Sequence, residues 1–388
     1  MSLIRPFPFF IILFSVVHLL SGIDIYFDNK LMMFSTAWFL LVLYIPSFLI
    51  KKSNIDIVSV VNQVYEEFYN SKGFLLFVFF ITSLSGLYIL LQYVSGFGSM
   101  YDLRRNVTEL LPGSVLLIFS TINLIVFAIL LILSIKKYND ELNYSYFSFA
   151  LLLYGVLSNI GSGSRSSVLI FVFLFVFLYY LFGRLKVSTI TYIFVAAFSI
   201  VGILSYYRIV TSGELGHIKW YIDEGILVEG NPILSAINLI VFQARDIVVR
   251  SSEIFSNVPL LLDYQNGRSL LNGFYQSFDS NYVNPHVDVH HKIFGVGGEF
   301  DTGYPPTFAS QYWLDFGIYG VIFLPILYSL LFWFLFAKLV IKPRLKIFIM
   351  YVTFCYFTLL SLYGAFEVFR FVLICFSLLF VRFLRVRL

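Results

Sequence analysis

YGVLSNIGSGSRSSVLIF, residues 154–171, parts two apolar runs with seven small or polar residues, Gly161 to Ser167. The chain around it is 59% hydrophobic and only 12% charged, where soluble domains carry about a quarter charged residues. In such a chain the break separates two membrane spans. Outward from it, apolar runs near span length recur at roughly 6–23, 31–50, 73–94, 113–135, 144–161, 167–183, 188–207, 312–337, 346–364 and 366–383. The expected fold is therefore an all-α polytopic membrane protein with about ten transmembrane helices. The short alternating segments of a membrane β-barrel are absent from the sequence.

Charge sets the orientation. With the N-terminus in the cytoplasm, the inner segments hold Arg5, Lys51, Lys52, Lys72, Lys136, Lys137, Arg184, Lys186, Lys338, Lys342, Arg344, Lys346, Arg382, Arg385 and Arg387. Few acids accompany them, so the short inner loops are the basic ones, as the positive-inside rule requires. Both termini are then cytoplasmic. The net charge of +4 reflects topology, and no nucleic-acid partner is expected. The run from Phe7 to Leu20 has no small-residue cleavage site after it, so it reads as a retained first span. Cys355 and Cys375 lie inside apolar runs, which argues against a disulfide framework or a Cys-based metal site.

Three segments follow: a bundle of seven spans over 1–207, an extracytoplasmic loop over 208–311, and three further spans over 312–388. A loop of that length is far beyond an ordinary connection and points to function. Within it Asn231 and Pro232 read as the N-cap and first position of a helix. That helix runs from Ile233 to about Phe255, lies against the outer membrane face, and carries Arg245, Asp246 and Arg250. Residues 53–70 read as an inner interfacial amphipathic helix.

The opening stretch acquires a chemical reading from this topology. The span after it starts at the outer face, so its unpaired N–H groups and positive dipole end lie there. Gly161 and Gly163 allow close backbone approach, and Arg165 adds a fork of donors. Together with Ser164 they make an anion site, and at this face the phosphate-bearing guest is a lipid head group. The same residues also suit an ordinary turn with an arginine that snorkels to the boundary.

A second stretch, EFDTGYPPTFASQYWLDFGIYG, residues 299–320, leads from the loop into the next span. Asp315 sits near the outer end of that span, where capping suits a carboxylate. The Gly163–Ser164–Arg165 turn, the large late loop, and the exit of Thr307, Tyr312, Asp315, Phe316, Gly317 and Gly320 resemble the Wzy-type, or O-antigen, polymerases of oligosaccharide repeat units. Where loops of that family show Pro-Arg or Pro-Lys before the exit, this chain has Asn284, Pro285 and His286.

The resemblance implies a fold like the C-type glycosyltransferases and a place in a bacterial plasma (inner) membrane. It implies an enzyme that polymerises undecaprenyl-diphosphate-linked repeat units of O-antigen (lipopolysaccharide), capsule or exopolysaccharide. The growing glycan passes to a new lipid-linked unit, and a single displacement inverts the anomeric centre. No cofactor and no metal are expected. A chain-length regulator and a flippase are the implied partners. The leaving diphosphate calls for cations, with Arg165 first, then Arg245 and Arg250, which lie about 140° apart on a helix. Arg208 and Arg268 are further outer arginines for substrate, with Thr307 and Tyr312. The acceptor hydroxyl needs a general base, with His290, His291, Glu299, Asp301 and Asp315 as candidates. His286, Asp288 and His290 alternate, so a strand would put them on one face and invite a metal reading. A ligase that transfers finished glycan shares the architecture. A transporter of lipid-linked sugars is the other alternative, and it predicts repeats, buried mid-span charge and broken helices.

Overall fold

A computed structural model describes residues 22–44, 57–69, 80, 82–88, 90, 113–141, 151, 153–155, 165–183, 187–211, 215–228, 230–272, 274–275, 285–294, 307–363, 368, 371–372 and 374–375. Among these residues the regular structure is helical throughout, with no strand. The helices are α1 (Ile23–Asp28), α2 (Lys30–Tyr44), α3 (Ile57–Tyr69), α4 (Gly113–Glu141), α5 (Arg165–Gly183), α6 (Val187–Thr211), α7 (Leu215–Asp223), α8 (Pro232–Asn257), α9 (Pro285–Phe294), α10 (Phe308–Ile341) and α11 (Leu345–Tyr363). The chain is thus a helical protein of membrane character. Ser188–Tyr206, Pro232–Asn257 and Phe308–Ile341 are long and apolar enough to cross a bilayer, and four shorter helices are comparably apolar. The expected spans at 6–23, 73–94, 144–161 and 366–383 fall wholly or largely outside the described residues.

The chain divides into two compact units made of discontinuous segments. The larger takes in 56–242, 338–356 and 373–388. At its centre α5 is buried all round: every residue from Val168 to Phe182 except Tyr180 is enclosed. A helix apolar on every side must be surrounded, and α4 and α6 pack on this one. Polar side chains inside the unit pair with each other. Ser85 donates to Asn123 at 2.5 Å and shares a hydrogen bond with Tyr154, and Ser134 meets Tyr179. Gly202 lets α6 approach α8, since a Cβ there would lie 3.0 Å from Ala236 Cβ. The amphipathic α3 buries Val60, Val61 and Val64, the stripe that its spacing predicts. Glu67 of α3 accepts the Leu345 N–H at 2.7 Å and so caps α11, whose first amides have no partner within the helix.

The other unit holds 1–55, 243–337 and 357–372. Here α2 is fastened to α10 by polar side chains that reach backbone carbonyls. Trp38 donates to Ile322 O at 3.1 Å, Ser329 to Val42 O at 3.0 Å, and Trp333 to Leu43 O at 3.2 Å. Phe39 stacks on Phe308 with centroids 3.8 Å apart. Ile254, Val258, Leu262, Val289 and Leu314 form an apolar cluster where α8, the chain after it, α9 and α10 meet. Trp313 closes it, with its indole N–H on Val258 O at 3.0 Å.

Candidate functional site

The exit motif folds into one knot. The helix that starts at Phe308 stops at Gly317, where φ is 58° and ψ −140°, and then resumes to Ile341. That backbone is accessible to glycine and strained for any other residue. A Cβ on Gly317 would also come within 2.8 Å of the Tyr264 ring, and one on Gly320 would overlap the Tyr312 carbonyl. Both glycines of the motif are therefore fixed by space, and Tyr312 is buried beside the second.

A helix interrupted in this way leaves carbonyls unpaired. The segment after α8 supplies what they lack. Gln265 N donates to Leu314 O and Asn266 N to Asp315 O, both at 2.9 Å. In return the buried Asp315 carboxylate accepts the Ser269 N–H at 3.0 Å on one oxygen and the Leu270 N–H at 2.9 Å on the other. Asp315 thus caps a turn 45 residues away in sequence, whereas the sequence suggests that it caps its own span. Thr307 begins the motif with hydroxyl contacts to Ser251 at 3.0 Å and Ser310 at 3.1 Å. Ser251 directly follows Arg250.

The other candidates are placed as follows. Arg245 makes a two-point ion pair with Asp24, at 3.0 and 2.6 Å, on an exposed surface. That pairing holds the Asp24 carboxyl below its ordinary range, through the hydrogen bonds first. Arg250 pairs with Asp246 one turn earlier at 2.8 Å. Arg268 is exposed in the turn that Asp315 holds. Arg165 is the first residue of α5, and Arg208 lies near the end of α6. Gly163, Ser164, Glu299 and Asp301 lie outside the described residues.

His286, Asp288, His290 and His291 lie in α9. The alternation that a strand would turn to one face does not do so in a helix, where neighbours recur every three or four positions. Asp288 instead pairs with Lys292 at 3.0 Å. Among the described residues no three His, Cys, Asp or Glu side chains gather as a metal set. The expected outer helix is present as α8, and its length and apolarity suffice for a crossing, a property the interfacial reading did not assign to it.

Three features escaped the sequence reading: Asp24 as the partner of Arg245, the turn at 265–271, and the break at Gly317. Only the last had a local signal, a glycine two residues after an acid in an apolar run. No family model, no curated protein and no solved structure matches the chain.

Proposed function

We propose that this chain is a polymerase of undecaprenyl-diphosphate-linked oligosaccharide repeat units, an inverting glycosyltransferase at the outer face of a bacterial inner membrane. The observation that carries the reading is the exit motif. Of the residues on which the resemblance to Wzy-type polymerases rests, Thr307 and Asp315 make hydrogen bonds in one knot, Gly317 and Gly320 supply backbone freedom and room, and Tyr312 and Phe316 flank Gly320. The start of α5 at Arg165 is compatible with an anion site there, since a helix N-terminus offers free N–H groups and arginine a fork of donors. Undecaprenyl diphosphate leaves as negative charge develops, and arginines stabilise that charge.

The ten-span topology belongs to the same proposal. A full crossing by α8 would turn the segment with Lys338, Lys342, Arg344 and Lys346 outward, against the positive-inside rule. So α8 lies along the outer face or enters and returns, and both termini stay cytoplasmic. The chain-length regulator and flippase remain the partners that this reading calls for.

The broken α10 with its buried Asp315 favours a second reading, transport of lipid-linked sugars, for which such helices are a hallmark. Yet the freed groups at this break are taken up by the chain's own 265–270 segment rather than left to coordinate cargo. The deciding experiment is a gel of surface glycan from cells lacking the protein, with and without the wild-type copy restored. A ladder collapsed to one repeat unit on the lipid core supports the polymerase. Long chains stranded on the carrier lipid would indicate the ligase, and units trapped on the cytoplasmic side the transporter. In the restored strain, Arg165→Ala is expected to abolish the ladder while inserting normally.

A further inference from the structure

The turn after α8 is tied to the break in α10 more firmly than a connection requires. Four of its amides, those of Gln265, Asn266, Ser269 and Leu270, donate to Leu314 or Asp315, and Arg268 N closes the turn on Gln265 O at 3.0 Å. Two of its residues take left-handed backbone, Asn266 at φ 50° and Gly267 at φ 86°. At the centre of this rigid turn is one exposed cation, Arg268. Two further polar atoms in the same stretch, Ser269 Oγ and Asn272 Oδ1, are buried with no partner among the described residues, and such groups ordinarily have one. Asp315 itself is sealed, with 0% of its surface exposed and both oxygens engaged. A general base must reach the hydroxyl whose proton it takes, and Asp315 has no such reach here.

We infer that Asp315 is a positioning residue: through the Gln265–Leu271 turn it holds Arg268 against the diphosphate of the lipid-linked substrate. The inference rests on the polymerase reading and assigns the motif's acid a task other than proton transfer. A guanidinium reads a phosphate by a planar pair of bonds, so its value depends on how well its base is fixed.

The test uses the full chain in proteoliposomes with lipid-linked repeat units. Arg268→Ala should lower kcat/KM by about 10- to 100-fold, mainly through KM, the scale of one or two charge-assisted hydrogen bonds. Asp315→Asn should do the same, because an amide nitrogen faces one of the two N–H groups. The double variant should be no worse than the poorer single within about threefold, since both act through one contact. The acidic limb of the pH–rate profile should survive in Asp315→Asn, and Arg268→Lys should recover part of the loss. Gly267→Ala strains the turn while keeping the Asp315 side chain, and it should lower kcat/KM as Asp315→Asn does, which keeps the test open if Asp315→Asn folds poorly. Loss of the acidic limb, multiplying effects, or wild-type rates in Arg268→Ala would each overturn the inference. An inactive wild type would sink the polymerase reading and the substrate half of the inference with it. Amide exchange at 266–270 reads the anchoring separately: it should quicken in Asp315→Asn and stay unchanged in Arg268→Ala.

Discussion

α5 and the first turns of α10 are both apolar helix, yet different physics specifies them. In α5 the neighbours are other apolar side chains, and what matters at Leu174 or Phe177 is volume, since both are almost wholly enclosed. At the α10 break what matters is backbone. Gly317 is there for its dihedrals, Gly320 for the room it leaves, and Asp315 for two amides far away in sequence. A membrane helix can be continuous and forgiving of sequence, or interrupted and exacting, because each interruption frees polar groups that lipid does not satisfy.

Substitution should separate the two regimes. The largest effect is expected at Gly320→Ala, where the Cβ meets backbone that cannot swing aside: a loss of about 3 kcal/mol or more, read as the disappearance of folded protein from a detergent extract. Gly317→Ala comes next at about 1–3 kcal/mol for the forbidden backbone alone, followed by thermal melting. In α5, Leu174→Met conserves volume and should cost less than about 1.5 kcal/mol. An α5 as sensitive to that change as the break is to alanine would erase the contrast. The smallest effect belongs to the exposed Arg245–Asp24 pair. Asp24 is held below its ordinary range, so its contribution is present above the pKa of a free carboxylate and fades as pH falls through the depressed value. Melting temperatures of wild type and Asp24→Asn should therefore differ slightly near neutrality and converge in strong acid, and high salt should shrink the difference.

The sequence made the continuous helices readable because hydropathy and caps are local. Asn231 and Pro232 start α8 where expected, with Asn231 Oδ1 accepting the Leu234 N–H at 3.0 Å, and α5 and α11 begin within two residues of the spans read at 167 and 346. At the candidate site, the exit motif could be listed but not explained. The partners of Asp315 are 45 and 46 positions away, and Arg245 finds Asp24 at 221; no periodicity carries such information. The reading of 286–290 failed for a different reason. Alternating polar residues suggest a strand, but the segment opens with Pro285, which fixes a helical φ at its first position, and Val289 joins the apolar cluster with Leu314.

The fastening of α2 to α10 bears on how the protein is made. Trp38 must wait for Ile322, and Leu43 for Trp333, separations of 284 and 290 residues. At about 5–20 residues per second, the ribosome takes roughly a quarter of a minute to a minute to bring the second helix out. For that interval α2 is without its final neighbour. A nascent chain arrested before residue 322 would expose the same surface indefinitely, which makes it a natural mark for membrane quality control.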